Sequence, residues 1–489
     1  MLAGALLPLA FAPVGFFPIG FLMPLALFML WERSTPLQAF RDGYWFGLAF
    51  FGVGVSWVFV SIHDMAHISL WLAGVITLLF ISVLALFPAF QGYITARFFA
   101  DRQPIHWILI FPSLWIVFEG VRGWVFTGFP WLYLGYSQMD SPLRGLAPIV
   151  GVMGVSFATA ATGGLLLVLW RANTWRRKAI WALCLLLLWG GSALLEGVSW
   201  TTPNGKLVRV SMLQVAIPQQ VRWRMEERQA TIRRYVEMTQ QHWDAQLIVW
   251  PENALTVFYH EATEFLDILT KEAQEHNVDL LIGLPYLDQK TQHYYNALVS
   301  LPGNQFYFKH HLVPFTEFLP LQILLDPLIN FFKIPMSGFT PGSAQQAPIG
   351  LAGHRVGLSI CYDAAFPEEI ASALPAAEFL INVSNDGWFG RSLAPYQNLQ
   401  MAQMRALETG RWLLRDTNTG ISAFIGPEGT ILKQSPLFQD DAITADVQPM
   451  IGMTPYARIG STPLWGIVLL SLLSGGWLKR RQKTSYPIS

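Results

Sequence analysis

Three side chains in this sequence could do covalent chemistry, and each follows an apolar run suited to a strand. Gly357-Leu358-Ser359-Ile360 delivers Cys361 to the end of a short β-compatible stretch, just before Tyr362, Asp363 and Phe366-Pro367-Glu368-Glu369, a loop expected to enter a helix. Trp250-Pro251-Glu252-Asn253 sets a carboxylate after a buried strand, where Pro251 ends the ladder and fixes the direction of the next residue. Phe308-Lys309-His310-His311 sets an ammonium at the end of another. Singly, Cys361 could be a small buried hydrophobe, Glu252 an acid at a helix N-terminus and Lys309 a solvated charge. Together they are a nucleophile, a base and a cation.

The second cysteine, Cys184, lies in the run Ala182-Leu183-Cys184-Leu185-Leu186, so a disulfide would join a membrane interior to a polar domain. Cys361 is therefore expected to be a free thiol. His310 and His311 are adjacent, point apart on a strand and have no third ligand spaced to help them, so no metal and no other cofactor is expected.

The elements that would position these groups alternate between strand and helix from about 204 to 448. Leu207–Val215 alternates as a strand, Met225–Trp243 is helical in composition and Gln246–Trp250 is a buried strand. Glu261–His276 is expected to be helix, Asp279–Gly283 strand, and Tyr295–Ser300 and Gln305–Lys309 two strands about the turn Leu301-Pro302-Gly303-Asn304. Arg355–Cys361 and Phe379–Val383 are further strands, and Ala394–Trp412 a helix. This predicts a layered α/β domain with a mixed sheet, large enough to bury a core without disulfides.

The rest of the 489 residues belongs to another environment. The chain is 53% hydrophobic and 13% charged, too apolar for a purely soluble protein, and residues 1–31 carry no Lys, Arg, Asp or Glu. Apolar segments of roughly spanning length occur near 1–13, 14–31, 44–62, 68–96, 104–121, 148–170 and 178–198, with one more near 457–478. About eight transmembrane helices are thus expected. The first segment lacks a basic n-region and a small-residue cleavage site, so it is expected to stay in the membrane. Arg33 and Arg41, Arg97 and Arg102, and Arg171, Arg176, Arg177 and Lys178 fall in alternate loops, with Lys479, Arg480, Arg481 and Lys483 after the last span. The excess of positive charge on these loops places them, and both termini, in the cytoplasm, and the polar region outside, in a bacterium the periplasm. The predicted organisation is a membrane domain at 1–200 with seven helices, a catalytic domain at 201–450, and a last transmembrane helix with a basic cytoplasmic tail at 451–489. Basic and acidic residues balance at 32 each, so no nucleic-acid partner is expected.

The connection Glu119–Gln138 is aromatic and punctuated by Gly and Pro, including Gly128-Phe129-Pro130-Trp131 and Gly135-Tyr136-Ser137-Gln138. An interfacial aromatic belt and a floor giving lipid access to the outer domain are both open. Glu119 and Arg122, three apart at a membrane boundary, are expected to be a buried pair.

The order Glu252, Lys309, Cys361, in the contexts Trp-Pro-Glu252, Lys309-His-His-Leu-Val-Pro-Phe-Thr-Glu317-Phe-Leu-Pro320 and Ile-Cys361-Tyr-Asp, resembles the carbon-nitrogen hydrolase (nitrilase) superfamily. Asn382-Val-Ser-Asn385-Asp386-Gly-Trp388-Phe389 and Met404-Arg405-Ala-Leu-Glu408-Thr-Gly-Arg411 strengthen the likeness. With the spans and the aromatic loop, the whole chain is similar to the bacterial apolipoprotein N-acyltransferase family. The resemblance implies a nitrilase-like αββα sandwich on an eight-helix base in the bacterial inner membrane. It implies acyl transfer from a phospholipid, typically phosphatidylethanolamine, to the N-terminal amine of the diacylglyceryl-cysteine of lipoproteins. Asp363 stands where some members have Glu, which leaves its role open.

The residues fit that chemistry. A cysteine of reference pKa about 8.5 is mostly protonated at neutral pH, so Glu252 as base and Lys309 nearby would activate it. Lys309 and the backbone N–H of Tyr362 would donate to the oxyanion. Cys361 would then hold the acyl chain as a thioester until the acceptor amine, deprotonated by Glu252, attacks in ping-pong order. Glu317 is carried over as a carboxylate orienting Lys309 or the base, and Trp223 as a lid beside the acyl cleft, with Asn385, Trp388, Phe389 and Tyr362 lining it. Arg405, Glu408 and Arg411, spaced along one helix, suit a structural ion-pair network. The rival enzymatic reading is a membrane-tethered nitrilase-type amidase with water as acceptor. A transporter is disfavoured by the scarcity of charges within the spans, and a scaffold leaves the three contexts unexplained.

Overall fold

The structure is a computed structural model and describes residues 1–99, 101, 103–314, 316–318 and 338–484, with side chains to 477. Arg102 of the basic loops and Phe315 and Pro320 of the Lys309 motif lie outside the described residues, as do the side chains of Lys479, Arg480, Arg481 and Lys483. The chain divides into two units, one of Met1–Phe59, Ser69–Ser199 and Arg458–Ser489, the other of Val60–Ile68 and Trp200–Ala457.

The first unit is helical. Leu70–Phe98, Pro142–Arg171 and Trp175–Glu196 are long and apolar enough to cross a membrane, and Pro36–Gly54 with Trp57–Met65, bent by 54° at their break, make a fourth candidate. Among the described residues, then, three or four helices reach spanning length where eight segments were expected. The others are shorter or broken. Leu2–Leu6 passes into a tight turn at Leu7–Ala10 that contains Pro8, and His106–Ile110 is a widened turn leading into Phe111–Arg122. Pro18–Trp31 and Thr462–Trp477 are apolar but short. Small residues let the longer helices approach closely: a Cβ on Gly43 would stand 2.2 Å from the Pro88 carbonyl oxygen.

Glu119 and Arg122 are both buried at the end of their helix, and they hold backbone. Glu119 Oε1 accepts the Trp115 indole N–H at 2.9 Å and the Leu134 amide at 2.7 Å, while Arg122 donates to the carbonyls of Phe129 and Trp131. The aromatic loop is thereby fixed by the two side chains that precede it.

Among its described residues the second unit has fourteen strands: β1 (Thr201–Pro203), β2 (Val208–Gln214), β3 (Leu247–Val249), β4 (Asp279–Leu287), β5 (Tyr294–Leu301), β6 (Phe306–Phe308), β7 (Ile349–Leu351), β8 (His354–Ile360), β9 (Phe379–Ser384), β10 (Leu413–Thr417), β11 (Ala423–Ile425), β12 (Ile431–Gln434), β13 (Asp441–Val447) and β14 (Met450–Gly452). Two six-stranded sheets run β13-β2-β3-β4-β5-β6 and β12-β11-β10-β9-β8-β7, and β1 pairs with β14 in a separate ribbon. Both sheets are mixed, with parallel centres at β2-β3-β4 and β8-β9-β10.

Apolar residues on the inner faces, Val210, Met212, Val249 and Leu281 from one sheet and Val356, Ile360, Ile381 and Leu414 from the other, share one core. The outer face of the first sheet packs on Tyr235 of helix Met225–Gln240 and on Leu266, Leu269 and Ala273 of helix Thr263–His276. That of the second packs on Leu399, Ala402 and Ala406 of helix Ala394–Thr409. Helix, sheet, sheet, helix is the expected αββα sandwich.

Several boundaries differ from expectation: the helix Met225–Gln240 ends three residues early and β4 runs four residues further, to Leu287, and two more bear on the site. The helix predicted to reach Trp412 stops at Thr409 because Gly410 turns to φ +62°, and the chain then forms β10. Cys361 does not end β8; it opens the turn Cys361–Ala365.

Candidate active site

Parallel strands in each sheet present their carboxyl ends at one edge, where α/β sheets place ligands. Glu252 follows β3, Cys361 follows β8, Asn385 follows β9 and Asn418 follows β10. β6 runs antiparallel to β5, which runs antiparallel to β4, so Lys309 at the end of β6 leaves the sheet in the same direction.

Glu252 is buried, and each carboxylate oxygen has its own donor. Oε1 accepts from Asn296 Nδ2 at 2.6 Å and Oε2 from the Asn385 amide at 2.6 Å. Its main-chain carbonyl accepts from Asn418 Nδ2 at 2.8 Å and Arg222 Nη2 at 2.9 Å. Gly283 on the adjoining strand makes room for this bend, since a Cβ there would lie 2.2 Å from the Pro251 carbonyl oxygen and 2.9 Å from Glu252 Cα.

Lys309 is only 1% exposed. Its Nζ donates to Glu317 Oε1 at 2.8 Å and lies 3.5 Å from Glu252 Oε1, while Glu317 Oε2 accepts the Val313 amide at 2.8 Å. Burial opposes the ammonium charge, but Glu317 and Glu252 together hold it well above the ordinary lysine range. Neither the solvated lysine nor the surface helix-end acid suits these positions.

Cys361 is a free, partly exposed thiol held at φ +51°, a backbone conformation that side-chain-bearing residues rarely adopt. Asp363 closes the turn that imposes it. Its Oδ2 accepts the Ile360 amide at 2.9 Å and the Tyr307 hydroxyl at 3.1 Å, and its Oδ1 accepts the His311 amide at 2.7 Å. The carboxylate therefore binds the residue before the cysteine to the segment after Lys309. Burial and then Glu369 raise Asp363 to about 6. Desolvation and then the charge of Glu252 push the Cys361 thiol up to about 12, against the smaller pulls of Lys309 and of its hydrogen-bond partner Ser384. The resting sulfur is a thiol.

Tyr362 is buried against His311 and Phe366, with ring centroids 5.8 and 5.2 Å away. Asn385 Nδ2 donates to Gln219 Oε1 at 2.9 Å. Trp388 and Phe389 lie on the turn Asp386–Phe389, whose Trp388 carbonyl accepts from Ser61 Oγ at 2.8 Å. Trp223 stands 48% exposed in the segment Pro218–Arg224. Arg405 and Glu408 form a buried pair at 2.9 Å, whereas Arg411 turns away to the carbonyls of Ala377 and Gly452.

Sequence reasoning missed Asn296, Asn418 and Arg222 around Glu252, and the layer behind the cysteine. There Ser384 Oγ donates to Asp386 Oδ1 at 2.9 Å, and Arg415 Nη2 contacts both oxygens of Asp386 at 2.9 and 3.1 Å. Polar residues within buried stretches of strand, such as Asn296 in β5 and Arg415 in β10, were the available signal.

A buried carboxylate paired with a buried ammonium, with a cysteine on a left-handed turn within their electrostatic reach, lies in a domain of the carbon-nitrogen hydrolase class: residues 209–456 match the family model for carbon-nitrogen hydrolases. Residues 3–165 match a second, the apolipoprotein N-acyltransferase N-terminal domain. The chain is 44% identical to the apolipoprotein N-acyltransferase of Methylococcus capsulatus over 95% of its own length and 92% of that protein. It is 42% identical to that of Coxiella burnetii, covering 97% and 98%, and 39% identical to that of Pseudomonas aeruginosa, covering 98% and 96%. The chain belongs to the apolipoprotein N-acyltransferase family.

Proposed function

We propose that this protein moves an acyl chain from a membrane phospholipid such as phosphatidylethanolamine to the N-terminal amine of the diacylglyceryl-cysteine of lipoproteins, through a thioester on Cys361. The observation that carries the reading is the Glu252–Lys309 pair, buried and 3.5 Å apart, whose two charges both reach the Cys361 sulfur, Glu252 opposing its ionisation and Lys309 favouring it. Because the resting group is a thiol, attack on the donor's ester carbonyl is concerted with transfer of the S–H proton to Glu252. Lys309 Nζ and the Tyr362 amide donate to the oxyanion. Collapse breaks the ester C–O bond, and the departing lyso-phospholipid oxygen takes the proton from Glu252. The acceptor amine then attacks the thioester and gives a proton to Glu252, and the sulfur leaves and recovers it. Asn296 and Asn385 keep the carboxylate aimed, Glu317 keeps the ammonium in place, and Trp223, Trp388 and Phe389 line the acyl cleft.

The lipid ester lies at headgroup level, so this chemistry suits a domain borne on membrane helices. In this reading residues 1–200 and 451–489 supply eight spans in the bacterial inner membrane, both termini are cytoplasmic and residues 201–450 are periplasmic. The alternation of Lys- and Arg-rich loops supports that orientation.

The test is intact-mass measurement of the membrane-purified protein beside Cys361→Ala, with phosphatidylethanolamine supplied and no acceptor, before and after neutral hydroxylamine. A hydroxylamine-labile acyl increment confined to the wild type is expected. Its absence, with release of free fatty acid into water, overturns the acyltransfer reading in favour of a hydrolase.

A further inference from the structure

Resting on that reading, we infer that Arg222 is a positioning residue that ties Trp223 to the backbone of the base Glu252. Residues 215–224 join β2 to helix Met225–Gln240 without regular structure, and in the strap formed by 218–224 two side chains are buried, Gln219 at 8% and Arg222 at 2% exposure. Both lead to Glu252 by separate routes. Arg222 Nη2 donates to the carbonyl of Glu252 at 2.9 Å and to that of Asn253, a residue held at φ +49°. Gln219 Oε1 accepts from Asn385 Nδ2 at 2.9 Å, and the same Asn385 donates its amide to Glu252 Oε2 at 2.6 Å.

Asn253 leaves the strand ladder in a left-handed conformation, so the carbonyls of residues 252 and 253 need donors other than a neighbouring strand. Arg222 supplies both from one nitrogen, and Asn418 Nδ2 adds a second donor to the Glu252 carbonyl at 2.8 Å. Burial lowers the Arg222 guanidinium pKa, against the smaller opposing effects of Tyr235 and Glu252. The residue that follows is the half-exposed Trp223. The strap is consequently an extension of the base's own scaffold: displacing the indole backbone pulls on the carbonyl of the residue that takes the proton. Acyl-chain contact and proton transfer are joined through one side chain.

The experiment is single-turnover acyl loading of Cys361, followed by intact mass, on the full-length protein in mixed micelles with phosphatidylethanolamine. The proteins are wild type, Arg222→Met, Trp223→Ala and the double variant. Loading by Arg222→Met is expected to be about tenfold to a hundredfold slower, the scale of a base displaced by a fraction of an ångström to 1 Å. The double variant is expected to be no slower than the slower single one, because both changes break the same connection. Losses that multiply overturn the inference, as does a lower loaded fraction at an unchanged rate constant, which is what a merely structural arginine gives. If Arg222→Met does not fold, Arg222→Lys, which keeps the charge but not the guanidinium geometry, enters the same cycle with the same two outcomes. A wild type that acquires no acyl group overturns the acyltransfer reading itself, an outcome distinct from failure of the tie.

Discussion

Glu317 Oε1 sits 2.8 Å from Lys309 Nζ, nearer than Glu252 Oε1 at 3.5 Å. The cation is thus anchored by the carboxylate proposed to stay out of the proton transfers and only shared with the one proposed to make them. Removing the anchor leaves Lys309 to close on Glu252 and compete for the oxygen that must accept the thiol proton. Glu317→Ala is expected to destabilise the protein by about 3 kcal/mol, the lower end for a broken buried pair because Glu252 remains. A denaturation midpoint in detergent measures the first effect, and acyl loading should fall further than the loss of folded protein explains.

Glu252→Gln should move two reactivities of Cys361 in opposite directions. The charge of Glu252 is, after desolvation, the main influence raising the thiol to about 12. Its removal lowers that value, so alkylation by iodoacetamide at pH 8 should be faster in the variant while acyl loading is lost. Parallel loss of both would mean that Glu252 only maintains the fold.

Asp363 gives the catalytic unit a pH dependence with a definite sign. Its folded pKa, about 6, exceeds the unfolded reference of about 3.9, so its contribution to stability is complete below pH 4 and is lost as pH rises through 6. A rise of that size corresponds to about 3 kcal/mol. The difference in unfolding midpoint between wild type and Asp363→Asn should therefore change across pH 4 to 6.5 and be flat from pH 7 to 8. A difference constant across the whole range would contradict this. The carboxamide of that variant has a single oxygen and can accept only one of the Ile360 and His311 amides, so it should also load acyl chains slowly.

Gly283→Ala tests the backbone of Glu252, the proposed base, from a strand away. The new methyl would meet the Pro251 carbonyl oxygen at 2.2 Å, and relief of that clash moves Glu252. Loading should drop about a hundredfold, with stability reduced by about 1–3 kcal/mol for overpacking. Normal loading kinetics would show that Glu252 need not hold its place.

In the membrane unit, Glu119→Ala removes the acceptor shared by the Trp115 indole and the Leu134 amide. About 1–3 kcal/mol of stability is expected to go with each donor left buried. Limited proteolysis should then cut first between 124 and 138.

The residues proposed to react could be picked out because each follows a strand in a locally marked context, Glu252 after Pro251 and Cys361 after an apolar run. Their supports could not. The donors to Glu252 come from Arg222, Asn296, Asn385 and Asn418, which only the two sheets bring together, and no local pattern encodes such a meeting. β10 was hidden for a related reason: Leu413–Thr417 is buried throughout, and Arg415 and Asp416 interrupt any apolar alternation. The hydropathy profile, for its part, counts apolar residues without seeing where a helix bends, so one segment became Pro36–Gly54 and Trp57–Met65 at 54° to each other. The open role of Asp363 became visible only through acceptor contacts to Ile360, Tyr307 and His311.

The ribbon that pairs Thr202 with Ile451 brings the first and last strands of the catalytic unit side by side. All fourteen described strands thus lie on one stretch of chain whose ends meet, while the remaining piece of the unit, Val60–Ile68, is contributed from elsewhere in the sequence. Ends that meet can be joined by a short linker, and new ends opened at an exposed turn such as Gln289-Lys290-Thr291, without altering the strand order of either sheet.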